Sequence, residues 1–222
     1  MLFDLKGKRR RTVQITYAGL AVLIGIGLVG GGIGSGVSGG FFDIFGGGNG
    51  GSSSNAPIEK KIKREERLLR VNPHNQAALA AIVRYRYEIA AAQSDQRTGR
   101  FSKDGKKSLA AVSTAWHRYI ASNPKKPDSG LAAQMVTAYS PVGLNRPPDA
   151  AQAAEIVANS KDDAQAYLQL TGCAALAGQT RKADLAGQTA IDRASKAQKS
   201  QAKQAVKAAK SPSTAGQFCG GQ

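Results

Sequence analysis

The stretch IEKKIKREERLLRVNP, residues 58–73, sets the fold class. Ile58, Ile62 and Leu69 share one face of a helix, and Lys60, Lys61, Lys63, Arg64 and Arg67 surround it. Asn72-Pro73 ends it, because proline carries no N–H and pushes the residue before it out of the helical region. A second helix is expected from about Gln76 to near Ser94, burying Leu79, Ile82, Val83, Tyr85 and Ile89. The polar residues Asp95 to Gly105 read as a loop. Helix then returns from Lys106 to Ala121, where Leu109, Val112, Trp116 and Tyr119 or Ile120 recur every three to four residues, and a second Asn-Pro pair, Asn123-Pro124, closes it. Tyr85, Tyr87 and Trp116 stand in these apolar stripes and read as core, with Trp116 between neighbouring helices. Alanine dominates the second half, aromatics are sparse and the prolines fall mostly between periodic segments, so the domain is expected to be all-α rather than a β-sandwich.

Upstream the pattern changes. Between Thr12 and Phe42 there is no Asp, Glu, Lys, Arg or His, and the densest apolar part, Ile15 to Val29, continues through Gly30 to Val37. A bilayer core takes about 20 residues of helix, so this run can span one. Lys6, Lys8, Arg9, Arg10 and Arg11 precede it, whereas residues 38–56 carry no basic side chain. The positive-inside rule then predicts a cytoplasmic N-terminus and an extracytoplasmic remainder. A secretory signal shares the basic-then-apolar pattern; the missing A-x-A-like site and the long run favour an uncleaved anchor and leave cleavage open. Gly27/Gly31, Gly30/Gly34 and Gly32/Gly36 have the small-xxx-small spacing through which membrane helices self-associate, and a glycine-rich exit from the membrane accounts for the same pattern. Phe41, Phe42, Ile44 and Phe45 suit the headgroup region. Gly46 to Asn55 contains only Gly, Ser and Asn, a flexible tether reaching about 15–20 Å. The expected divisions are a basic tail (1–11), a membrane signal-anchor helix (12–37), a tether (38–57), a helical domain (58–210) and a flexible tail (211–222).

Further along, AYLQLTGCAALAGQTRKADLA, residues 166–186, places Tyr167, Leu170, Ala174, Gly178, Ala183 and, beyond it, Ala190 at the bulky, leucine, packing, turn-glycine and small-residue positions of one tetratricopeptide repeat (TPR). Counted back from Pro124, Trp116 falls where that family carries an aromatic, while Tyr119 stands where it usually has alanine and Val112 where it has a small residue. Leu131 to Tyr139 and Asp149 to Ala158 resemble a degenerate unit, its second helix opening on an Asp149-to-Gln152 capping box. The resemblance runs from Ile58 to Lys210 as three irregular repeats with extra helices. It implies a stack of helix pairs, a concave groove and a protein or peptide partner, hence an adaptor or scaffold at the membrane, in envelope assembly or protein export.

Charge raises a different class of partner. The formal net charge is +16, from 31 basic and 15 acidic residues, which suits an anionic surface. In the helix expected from Ser195 to Lys210, Lys196, Lys199, Lys203, Lys207 and Lys210 step by three or four and form one stripe. It is either a contact for anionic lipid or wall polymer, as in a structural envelope protein, or the solvated face of a capping helix. The extracytoplasmic placement and the lack of a zinc-finger or RNP signature argue against nucleic acid. His74 and His117 are the only imidazoles, and neither has a nucleophile elbow, HExxH or Cys-His signature around it. No enzyme activity, cofactor or metal is expected. Cys173 falls on an apolar helix face and is expected to be buried. Cys219 lies in the tail and is expected to be exposed, and whether the two pair is open.

Overall fold

Nine α-helices and one 3-10 turn make up the described residues, 55–95 and 97–220 of a computed structural model. They are α1 (Ala56–Val71), α2 (Gln76–Ala91), α3 (Lys103–Ala121), α4 (Ser129–Tyr139), α5 (Pro147–Lys161), α6 (Ala164–Leu176), α7 (Thr180–Arg193), the 3-10 turn Lys196–Gln198, α8 (Lys199–Lys210) and α9 (Ala215–Phe218). The fold class is all-α; the only β-type pairing among the described residues is one isolated bridge between Ser94 and Phe101. The basic tail with Lys6, Lys8, Arg9, Arg10 and Arg11, the expected span 12–37 with its glycine pairs, and residues 38–54 of the tether lie outside the described residues. Among the described residues no helix is long and apolar enough to cross a membrane.

Local chemistry sets the helix boundaries. Asn75, Ser102, Asp128 and Asp163 each turn a side-chain oxygen onto a free backbone N–H in the first turn of the next helix: Ala78 (3.1 Å), Gly105 (3.0 Å), Leu131 (3.0 Å) and Ala166 (2.7 Å). The Ser102 cap moves the start of α3 to Lys103, three residues before the expected Lys106. The two Asn-Pro pairs both stop a helix but by different geometry. Asn72 is extended and accepts from the His74 N–H, whereas Asn123 takes the left-handed conformation at φ 52°. Gly178, at φ +70°, ends α6 as the left-handed residue of a Schellman turn, with the Gln179 N–H donating to the Ala174 carbonyl at 2.8 Å.

Four expectations change here. α1 begins at Ala56 with Pro57 in its first turn, so the tether is shorter than 38–57. Asp149 is not a cap: Pro147 and Pro148 open α5, and Asp149 instead pairs with Arg146 at 2.7 Å, so no Asp149-to-Gln152 capping box forms. α2 ends at Ala91, and Tyr85, Tyr87 and Ile89 are only half-buried: Lys61 stands 5.4 Å over the Tyr85 ring, Ile89 borders a cleft between α1, α2 and α3, and Tyr87 packs at the edge of the core. Residues 211–220 are not a loose tail; they fold as a turn and α9 against α6 and α8, and Cys219 is fully buried in a disulfide with Cys173.

The helices pack largely on their chain neighbours: α1 on α2, α2 on α3, α4 on α5, α5 on α6 and α6 on α7, with α4 touching both α2 and α3. α8 folds back onto α6 and α7. Small residues permit the close approaches: Ala150, Ala151, Ala153 and Ala154 of α5 are all fully buried. The larger core side chains, among them Leu79, Val83, Leu109, Trp116 and Tyr139, belong to the same buried cluster. A polar clamp crosses this core. The Tyr139 hydroxyl shares a hydrogen bond with Ser113 at 2.9 Å, Arg146 donates to Ser113 at 3.1 Å, and the Arg146 guanidinium sits 5.4 Å from the Tyr139 ring. The clamp therefore ties α3, α4 and the start of α5 together.

Candidate functional site

α5 and α7 both pack on α6 while their backbones stay apart, and the space between them is an open groove of about 740 Å3, within the range of ligand clefts, about 300–1,000 Å3. Tyr167, Leu170 and Ala186 line its apolar part. Leu185 projects from α7 with 63% of its surface exposed, one of only a few large apolar side chains so exposed among the described residues. Glu155 of α5 and Lys182 of α7 close one place across the groove with an ion pair of 2.7 Å. Arg181, Thr189 and Asn159 supply its polar rim.

The sequence builds this groove through the Gly178 turn, which sends α7 back along α6. Ala183, Ala186, Gly187 and Ala190 form the buried face of α7. At about 100° per residue Leu185 is on the far side from Ala183 and Ala190 and is left largely exposed. Gln179 lies at the N-cap position of α7; its Oε1 is buried at the groove and has no hydrogen-bond partner among the described residues. Such a buried acceptor favours any ligand that brings a donor. Beyond the groove Arg193 holds Asp162 with two bonds of 2.9 and 3.0 Å, and this pairing keeps the Asp162 carboxyl below its ordinary range. Desolvation first and then the Asp162 charge raise the neighbouring Tyr167 phenol above its ordinary value, so it stays a protonated donor at neutral pH. The groove thus offers an apolar strip, hydrogen-bonding groups and cations, and no nucleophile–base pair. Among the described residues no group of His, Cys, Asp and Glu is placed to hold a metal ion.

The lysine stripe is partly redistributed. Lys199, Lys203, Lys207 and Lys210 lie on α8, flanking its buried Val206, whereas Lys196 belongs to the 3-10 turn before it. The helix expected from Ser195 breaks there because the tighter 3-10 turn precedes Lys199. All five lysines are exposed; Lys210 pairs with Asp184 at 2.7 Å, and no ion pair to the other four occurs among the described residues. His74 is exposed in the turn between α1 and α2. His117 is exposed on α3, its Nε2 3.4 Å from the Tyr139 hydroxyl at the edge of the polar clamp. The two histidines stand on different elements, and neither lines the groove. A smaller cleft of about 260 Å3 between α1, α2 and α3 is bridged by Arg86 and Glu66 at 3.2 Å.

Compared with protein-family models, with curated proteins and with solved structures, the chain finds no match. The groove is therefore the feature from which a function is inferred.

Proposed function

We propose that this chain is a membrane-tethered, TPR-like adaptor that docks a protein segment in the groove over α6, on the outer face of the cytoplasmic membrane, in envelope assembly or protein export. The groove carries this reading: an exposed Leu185 beside Tyr167 and an orphaned Gln179 acceptor suit an extended peptide with one apolar side chain and a free backbone N–H. Packing of each helix mainly on its chain neighbours supports a repeat-like stack. The Cys173–Cys219 disulfide supports the outer location, since such bonds persist in oxidising compartments. A photo-cross-linking amino acid at Leu185 of the full chain, in intact cells, is expected to capture a defined set of proteins that the same probe at the exposed Thr114 of α3 does not. Identical adducts at both positions would remove the groove from the reading. A reporter fused after Gln222 is expected to be active only outside the cytoplasm, and cytoplasmic activity would overturn the location.

A second reading, a structural envelope protein held on anionic lipid or wall polymer, is favoured by one observation: Lys196, Lys199, Lys203 and Lys207 are all exposed and have no ion pair among the described residues. Each lysine near an anionic bilayer is worth about 1 kcal/mol, so changing these four to glutamine is expected to abolish vesicle binding by the fragment from Ser53 onward. The parent's binding is expected to weaken steeply with salt. Equal vesicle binding by parent and variant would make the stripe a solvated face and leave the adaptor reading alone.

A further inference from the structure

The residues after α8 pose a question that the groove does not answer. Ser211 to Gly220 cross the side of α6 opposite Tyr167 and Leu170 and reach α4, where Gly220 lies against Val136, Thr137 and Ser140. The seat is shaped for them. A Cβ on Gly172 would lie 2.5 Å from the Cβ of Phe218 and 3.0 Å from the Ala215 carbonyl oxygen, so only glycine leaves room for this turn. Ala215 and Cys219 are fully buried there. Yet every backbone hydrogen bond found in the segment is local, and the Thr214 hydroxyl reaches only the Ala208 carbonyl of α8. No hydrogen bond or ion pair joins the segment to α4 or α6 among the described residues. Shape, apolar contact and one sulfur bridge hold it.

α8 is seated separately. Val206 enters the notch at Gly187, where an added Cβ would meet its Cγ1 at 2.7 Å, and Lys210 pairs with Asp184. The link between α8 and α9 is Ser211-Pro212-Ser213-Thr214, a short turn whose residues Pro212 and Ser213 are exposed. A segment with its own seat, no polar tie to that seat and a hinge before it can be exchanged between identical chains, because every contact it makes in its own chain is offered again by a second copy. We infer that the face of α4 and α6 is a docking site for residues 211–220 of a second copy as well as for the chain's own, and that Cys219 of one copy joins Cys173 of the other. Formation of that bridge removes two electrons and two protons from the two thiols; with oxidised glutathione as acceptor, the glutathione disulfide is reduced to two thiols.

The test uses full-length chains bearing different affinity tags. One carries Cys173→Ser, the other Cys219→Ser, and they are co-expressed. The only bridge then open between a Cys219 and a Cys173 runs from the first chain to the second. A covalent heterodimer is expected, and adding Phe218→Asp to the first chain should lower its yield by about tenfold or more, since a carboxylate then replaces the half-buried apolar ring carried beside Gly172. Absence of the heterodimer overturns the exchange. An undiminished yield with Phe218→Asp shows random thiol collision and overturns it equally. A second measurement needs no cysteine replacement: isotopically light and heavy parent chains are reduced together and reoxidised with glutathione disulfide. Disulfide peptides joining light Cys173 to heavy Cys219 are expected, and only same-isotope pairs would overturn the inference.

Discussion

Replacing Trp116 with alanine is expected to lower the stability of the helical unit by about 3–5 kcal/mol, one of the two largest effects of any single change considered for this chain. The indole is 4% exposed and its ring centroid lies 5.5 Å from that of Tyr119, within the cluster that also holds Leu79, Val83 and Leu109. Alanine leaves a cavity between helices that cannot close around it. Thermal denaturation of the fragment from Ser53 onward measures the loss, which should appear as a fall in melting temperature of roughly 10 °C for a unit of this size. An unchanged midpoint would show that the ring is not packed as described.

Tyr139→Ala should cost a similar amount, about 3–5 kcal/mol, and Tyr139→Phe about 1–2 kcal/mol. Tyr139 is 1% exposed, and the alanine change removes both the ring against which Arg146 packs and the partner of the buried Ser113 hydroxyl. The phenylalanine change removes only the latter. The two differ in a further way. Burial raises the Tyr139 phenol above its ordinary value, its hydrogen bond to Ser113 opposing the shift, so the folded chain holds this proton more tightly than the unfolded one. The stability this provides is complete below the ordinary tyrosine pKa of about 10 and is lost as pH rises through the higher folded value. Denaturation midpoints measured toward alkaline pH should therefore fall more steeply for the parent than for Tyr139→Phe. Parallel curves would mean that the hydroxyl is not desolvated.

Most of the helical order could be read from residues alone, because each signal involved was local. The Ile58–Ile62–Leu69 face, the Asn-Pro stops and the turn at Gly178 are decided by neighbours within a few positions, and α1, α3, α6 and α7 lie close to where those signals put them. The errors arose mostly where distant residues decide, Asp149 being a local exception. Asp149 looked like a cap, but Pro147 and Pro148 start α5 earlier and Arg146 takes the carboxylate. Tyr85 and Ile89 carry the right spacing for burial, yet Lys61 of α1 lies over Tyr85 and an open cleft between α1, α2 and α3 borders Ile89, so both stay half-exposed. Cys219 followed glycines and serines and looked loose; its burial depends on Gly172, 47 positions earlier, leaving space for Phe218. Of the groove, one component was legible in principle: Leu185 lies off the Ala183–Ala186–Ala190 face, and a leucine on the polar side of a helix is a signal of unmet contact. The orphaned Gln179 oxygen was not legible, since it depends on how α5, α6 and α7 enclose it.

The near-neighbour packing of α1 through α7 has a consequence in time. Each helix meets its main partner within a few tens of residues, so as the chain leaves a ribosome or a translocation pore, each helix pair can close once its second member has emerged, without waiting for distant segments. Cys219, 46 positions after Cys173, is made after all seven of these helices. During that interval the sulfur on α6 stands open to whatever thiol chemistry surrounds it, and the order of synthesis keeps the bridge from forming until all seven helices have been made.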